Sequence, residues 1–202
     1  MKAANASDLR ALPARERILL TAHQLFYREG IRATGIDRVI SESGVTKVTF
    51  YRHFPSKHDL ILAFLEYRHQ HWMKWFTDAL QRHGGGLKAL VPTLAEWFSS
   101  EDFRGCAFIN SVAEVGPVLA EVMEMTRRHK DDMVTAIAHL LPTSRHRGQD
   151  AQALSLAVDG AIVRATFDES SENALRALQR VVKLLHSSQQ KAKPKQAPLA
   201  GA

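Results

Sequence analysis

Lys47, Val48, Thr49, Tyr51 and Arg52 fall within six consecutive positions, and Phe50 interrupts them. On a helix advancing about 100° per residue, Phe50 and Phe54 share one side, which must be the buried one. Val48 and Arg52 then point the opposite way, flanked by Lys47, Thr49 and Tyr51. Such a face suits recognition of a polyanion. Lys and Arg can meet phosphates or guanine, Thr and Val methyls can meet the thymine methyl, and a Tyr hydroxyl can donate to a phosphate. Read without its neighbours, the same helix is equally a core element with a polar face. Catalysis would need a convergent nucleophile and base or a carboxylate pair, and spacing places none, so an all-α enzyme is the weaker alternative. Ten histidines invite a metal. His69 and His71 are two apart on a helix and face different ways, and there is no HExxH or Cys–His cluster. The histidines are expected at the surface, and neither metal nor cofactor is expected. Cys106 stands alone, which forbids an internal disulfide and a Cys-based zinc site; on an apolar stretch it reads as packing rather than as a thiol sensor.

The elements that must position this face are helical. After Pro13, Ile18, Ala22, Leu25 and Phe26 recur at helical spacing over Ala14–Arg28, and Gly30 stops the helix. Thr34 is available to cap a short helix Ile36–Ser43, and Gly44 ends it in a tight turn that needs positive φ. Thr46 can cap the reading helix to His53; Pro55 ends it, and Ser56 caps a long helix from Lys57 to about Gln81. Gly84, Gly85 and Gly86 form a hinge. Further helices are expected at about 87–99, 106–115, 117–140, 150–167 and 171–186. No stretch alternates as a strand does, and no repeat appears. The fold class is all-α, with about nine helices.

Charge is unevenly spread. Residues 1–60 carry 10 basic and 6 acidic side chains, residues 61–186 carry 14 and 15, and residues 187–202 hold three lysines and no acid. A compact basic N-terminal unit suits a phosphate backbone, although solubility charge accounts for it equally well. The stretch 187–202 lacks a periodic apolar face and is expected to be a disordered basic tail. No apolar run reaches 18 residues, which excludes a membrane span, and the first residues lack an apolar secretory core, so a cytoplasmic location is expected.

Helix, turn at Gly44 and short helix have the spacing of a helix-turn-helix. Gly30-Ile31-Arg32-Ala33-Thr34, Ile36-Asp37-Arg38-Val39 and Gly44 through Phe54, with Ser56, Lys57 and Leu60, closely resemble the N-terminal domain of TetR-family transcriptional regulators. The resemblance covers about 45 residues with unbroken spacing. It departs at Ile40, where the family usually has alanine, and at Gly35. It implies that Lys47, Thr49, Tyr51 and His53 lie in or beside the major groove, with Thr34, Arg38 and Lys57 on phosphates. Together with Thr46, Val48 and Arg52 these are the candidate DNA-binding residues. Independently, Lys57 in a first helical turn is unfavourable for the helix dipole unless an anion lies near.

The resemblance also implies a second, ligand-binding and dimerising domain at 61–186, following a reading domain at 13–60 whose last helix continues to about 81. Seven of the twelve Trp and Phe residues fall between 72 and 108. Trp72, Phe76, Trp97 and Phe108, with Asn110 and Glu114 one turn apart, are candidate linings for an unknown small-molecule effector; plain core packing is the alternative for each. Ala153, Ala157, Gly160, Ala161 and Ala165 form a small-residue ridge. With Leu175, Leu178, Val182 and Leu185 on the final helix, it suggests a homodimer interface over about 150–186, where Asp159 and Arg164 would need partners. The expected function is a ligand-responsive regulator, a repressor on a palindromic double-stranded operator. A DNA binder without an effector, including a DNA-compacting protein, is the alternative.

Overall fold

The computed structural model describes residues 11–191, with side chains to 187. Nine α-helices and no strand occur among them. They are α1 (Ala14–Glu29), α2 (Ile36–Ser43), α3 (Lys47–His53), α4 (Lys57–Arg82), α5 (Leu90–Phe98), α6 (Ala107–Val115), α7 (Ala120–His139), α8 (Arg147–Phe167) and α9 (Glu172–Lys191). A 3₁₀ turn, Leu87–Ala89, takes the start of the helix expected from 87.

α1 buries Ile18, Ala22, Leu25 and Phe26 against α2, α3 and α4. Gly44 closes α2 at φ 63°, donating its N–H to Ile40 and Ser41 carbonyls. Open space surrounds the glycine, so the backbone conformation alone demands it. Thr46 and Ser56 cap α3 and α4 by accepting the N–H groups of Thr49 and Asp59. α4 then runs unbroken for 26 residues from the reading head into the second bundle, where it packs on α5, α6 and α7.

Several expectations are corrected. Thr34 does not cap α2, since Gly35 occupies that position; the Thr34 hydroxyl donates back to the Gly30 carbonyl at 2.8 Å and its side chain is fully buried. α7 begins at Ala120, because Pro117 and Val118 form a turn, whereas α8 begins three residues early at Arg147. α9 continues through residues 187–191, placed above in the tail; positions 192–202 lie outside the described residues. Of the histidines expected at the surface, His129 is buried and stacks on Phe108 at 3.8 Å, while His69, half-buried, approaches it Nδ1 to Nδ1 at 3.2 Å and His23 is half-buried on α1.

The small-residue ridge on α8 faces outward only in part, at Ala153 and Gly160. Ala161 is buried, and Ala157 and Ala165 are half-buried. The outward face is Leu156, Gly160, Val163 and Phe167, with Leu156 74% and Phe167 63% exposed, continued on α9 by Leu184. Positions 156, 160, 163 and 167 follow the helical repeat, so the ridge is apolar rather than merely small. Asp159 is paired with Lys130 of α7 at 2.5 Å and Arg164 with Asp168 at 3.1 Å, so both find partners within the chain.

Candidate nucleic-acid interface and internal cavity

α3 sits as its sequence requires. Phe50 and Phe54 are 0% and 2% exposed and pack ring to ring, with Arg15 of α1 over Phe54 at 5.1 Å. Their burial leaves one outward surface. Val48 is 70% exposed, Tyr51 40%, and Lys47 and Arg52 also stand in solvent. Thr46 is exposed; its hydroxyl and that of Thr49 lie 2.9 Å apart, while Thr49 and His53 are half-covered. Lys47 is 3.8 Å from Asp37, an exposed pair of little strength.

The residues flanking α3 are less free. Arg38 is held by both carboxylate oxygens of Glu29 and by Glu42, and the two acids raise its pKa further. A phosphate reaching Arg38 must compete with two carboxylates. Thr34, buried, presents no hydroxyl to a phosphate. Lys57 is half-buried, and burial lowers its pKa against the opposing pull of Glu114. That nearby carboxylate supplies the anion its position in the first helical turn calls for.

A cavity of about 260 Å³ lies where α1, α4, α5 and the turn after α5 meet. Trp72 and Trp97 of the expected lining are there, together with Trp75, Tyr67, Tyr27 and Arg68. The other expected residues lie elsewhere. Phe76 stacks behind Trp72 at 4.7 Å, and Phe108 packs on His129. Asn110 and Glu114 border a separate cleft between α1 and α6, where Asn110 donates to the Arg104 carbonyl at 2.9 Å and Glu114 accepts the Arg32 N–H at 2.8 Å.

Sequence reasoning missed Arg68 and Tyr27. A signal for Arg68 existed: it occupies the inward stripe of α4 between Leu65 and Trp72, where a charge is out of pattern. It is 5% exposed and makes no ion pair among the described residues. Its guanidinium lies 3.8 Å above the Tyr27 ring and donates weakly, at 3.4 Å, to His23 Nε2. Burial, followed by Arg68, drives the His23 pKa down to about 3, so the imidazole is neutral. Tyr27 also ties α1 to the second bundle: its hydroxyl donates to the Gly105 carbonyl at 2.9 Å and accepts the Arg104 N–H at 3.0 Å.

A basic, outward-facing short helix behind a glycine turn, carried on a long helix into a larger helical bundle, defines a helix-turn-helix regulator. The family of bacterial regulatory proteins, tetR family, matches over residues 18–64. SCO4454, a TetR-family transcriptional regulator from Streptomyces coelicolor, superposes with a TM-score of 0.74 at 31% identity, covering 84% of this chain and 94% of that one. The chain belongs to the TetR family of transcriptional regulators, proteins that act by binding DNA rather than by catalysis. Curated relatives include the transcriptional activator FasR of Mycolicibacterium smegmatis, 30% identical over 68% of this chain and 66% of its own length. Another is the repressor BepR of Brucella suis, 25% identical over 77% of each. The 45% match to the Bacillus subtilis regulator YerO covers 53 residues, 18% of that protein's length. No helix among the described residues is long and apolar enough to cross a membrane.

Proposed function

We propose that this regulator is a homodimeric repressor that leaves its operator when a small molecule occupies the cavity between α1, α4 and α5. One observation carries the reading: α3 turns Phe50 and Phe54 fully inward and Lys47, Val48, Tyr51 and Arg52 outward. In this reading α1–α3 and the start of α4 (13–60) form the reading domain and 61–186 the sensing and dimerising domain. Lys47, Val48, Thr49, Tyr51, Arg52 and His53 meet bases or the adjoining backbone, Thr46 meets a phosphate, and Lys57 does so only in competition with Glu114. Arg38 joins them only by releasing Glu29 or Glu42.

The exposed stripe of Leu156, Gly160, Val163 and Phe167, with Leu184, supports dimerisation through α8 and α9. A two-fold pair would set the reading helices on half-sites about 34 Å apart, one turn of B-DNA. Repression is supported by the named repressor BepR; the activator FasR makes transcriptional output the discriminating measurement.

The test starts from a duplex selected from a random pool and read by fluorescence anisotropy across salt. Tyr51→Ala and Lys47→Ala should weaken the selected duplex at least tenfold while helical content and dimer mass stay constant. Leu156→Arg with Phe167→Asp should give a folded monomer by analytical ultracentrifugation. A reporter carrying the selected duplex at its promoter should rise when the regulator is deleted. Equal affinity for selected and random duplexes, or unfolding by Tyr51→Ala, overturns the reading.

A further inference from the structure

We infer that the cavity between α1, α4 and α5 is a receptor for a small organic anion with a flat apolar body, an aromatic carboxylate being the fitting class. This deepens the proposed effector site and rests on that reading. Arg68 carries the inference: it is buried, lines the cavity and has no carboxylate partner among the described residues. Isolated buried cations are costly, and a guanidinium matches a carboxylate in fork geometry. Its present neighbours, a neutral imidazole and a phenol ring, leave that capacity largely unused.

The remaining lining sets the body of the ligand. Trp72, Trp75 and Trp97 stand around the space with centroids 5.3–6.2 Å apart, and Tyr27 and Tyr67 complete it. The volume falls just under the ~300–1,000 Å³ of drug-sized sites, so one or two fused rings fit.

Aromatic walls also receive cations, and two acids, Glu96 and Asp102, lie at the rim. Both acids are already engaged. Glu96 accepts from Trp75, Arg82 and His83, and Asp102 faces Arg28 at 3.5 Å. A cationic ligand would also meet Arg68, which already occupies the Tyr27 face. Charge therefore favours the anion.

All three tryptophans of the chain line this one cavity, so intrinsic fluorescence reports its occupancy without a label. The full chain is titrated with 2-naphthoate, with its uncharged isostere 2-naphthamide and with the cation 2-naphthylmethylammonium. The expected result is quenching by naphthoate with a Kd at least tenfold below that of the amide, and weaker still for the cation. Arg68→Lys should keep a preference for the acid, and Arg68→Met should bring acid and amide within twofold. Equal binding of acid and amide by the unaltered protein, or a preference for the cation, overturns the inference and needs no variant to fold. Undiminished discrimination in Arg68→Met also overturns it. The titration contains no DNA: naphthoate binding without effect on the operator would refute ligand release while leaving the anion site standing.

Discussion

Tyr27→Phe isolates the hydroxyl that joins the reading head to the second bundle. The ring is 8% exposed and keeps its place beneath Arg68 in the variant. What disappears is one bond donated to Gly105 and one accepted from Arg104. Each contributes about 1 kcal/mol net, and the orphaned Gly105 carbonyl adds a desolvation penalty of similar size, so the loss is about 2–3 kcal/mol. For a chain of this length that is a fall in Tm of roughly 5–10 °C. Urea unfolding followed by circular dichroism, analysed at constant m, gives the free energy directly. Tyr67→Phe is the control: that hydroxyl makes no hydrogen bond among the described residues, and its removal should cost less than about 0.5 kcal/mol. A Tyr27→Phe loss no larger than that of the control would refute the tie between α1 and the 104–105 turn.

Three further outcomes are expected. Gly105 has φ 79° and a Cβ there would lie 2.5 Å from Thr166 Cγ2, so Gly105→Ala should destabilise by about 2–4 kcal/mol; adding Thr166→Ser, which deletes the offending methyl, should recover the steric part in chemical denaturation. Glu42→Ala frees one arm of Arg38 and removes a carboxylate near the proposed phosphate contacts, so operator affinity should rise about threefold to tenfold at low salt, read by anisotropy. Burial holds the pKa of His129 at about 2 and that of His23 at about 3, against 6.5 for a free imidazole. Below about pH 6.5 the unfolded chain therefore binds protons that the folded chain refuses. Stability should fall as pH drops toward about 3, by ~1.4 kcal/mol per unit for each histidine. Urea midpoints at pH 6 and pH 5 should show the fall, and His129→Phe should remove about half of it.

The helix-turn-helix was legible because its determinants are local. The Phe50–Phe54 spacing, the turn at Gly44 and the Thr46 and Ser56 caps each act within a few residues. Thr34 was misread for the same reason: a Thr ahead of a helix is a cap candidate by type, but the turn from α1 bends its hydroxyl back to Gly30. Partners distant in sequence were not legible. Arg68 and Tyr27 are 41 positions apart, Tyr27 and Gly105 are 78 apart, and no periodicity joins them. On α8 small and large apolar residues occupy every face, so only packing against α7 and α9 decides which stripe is left outside.

In the proposed scheme the shortest polar ties between reading head and sensor are the Tyr27 hydroxyl pair and the Arg32 N–H on Glu114; the Arg28–Asp102, His58–Glu121 and Arg68–His23 contacts, at 3.4–3.5 Å, are longer. Valued at about 2–3 kcal/mol and about 1.5–3 kcal/mol, the two shorter ties sum to about 3.5–6 kcal/mol, the same order as the ~5.5 kcal/mol that separates a 1:99 population from its inverse. A ligand that releases the head must therefore favour the released state by a comparable amount. One charge-assisted bond to Arg68, worth about 1.5–3 kcal/mol, falls short. Burying about 100 Å² of a flat ring among the three tryptophans adds ~2.5 kcal/mol and closes the difference. An anion without a ring, such as acetate, should then occupy the site without moving α1, and a ring without the anion should bind without engaging Arg68. Only the combination supplies both contributions, which is why the charge and the aromatic wall belong to one receptor.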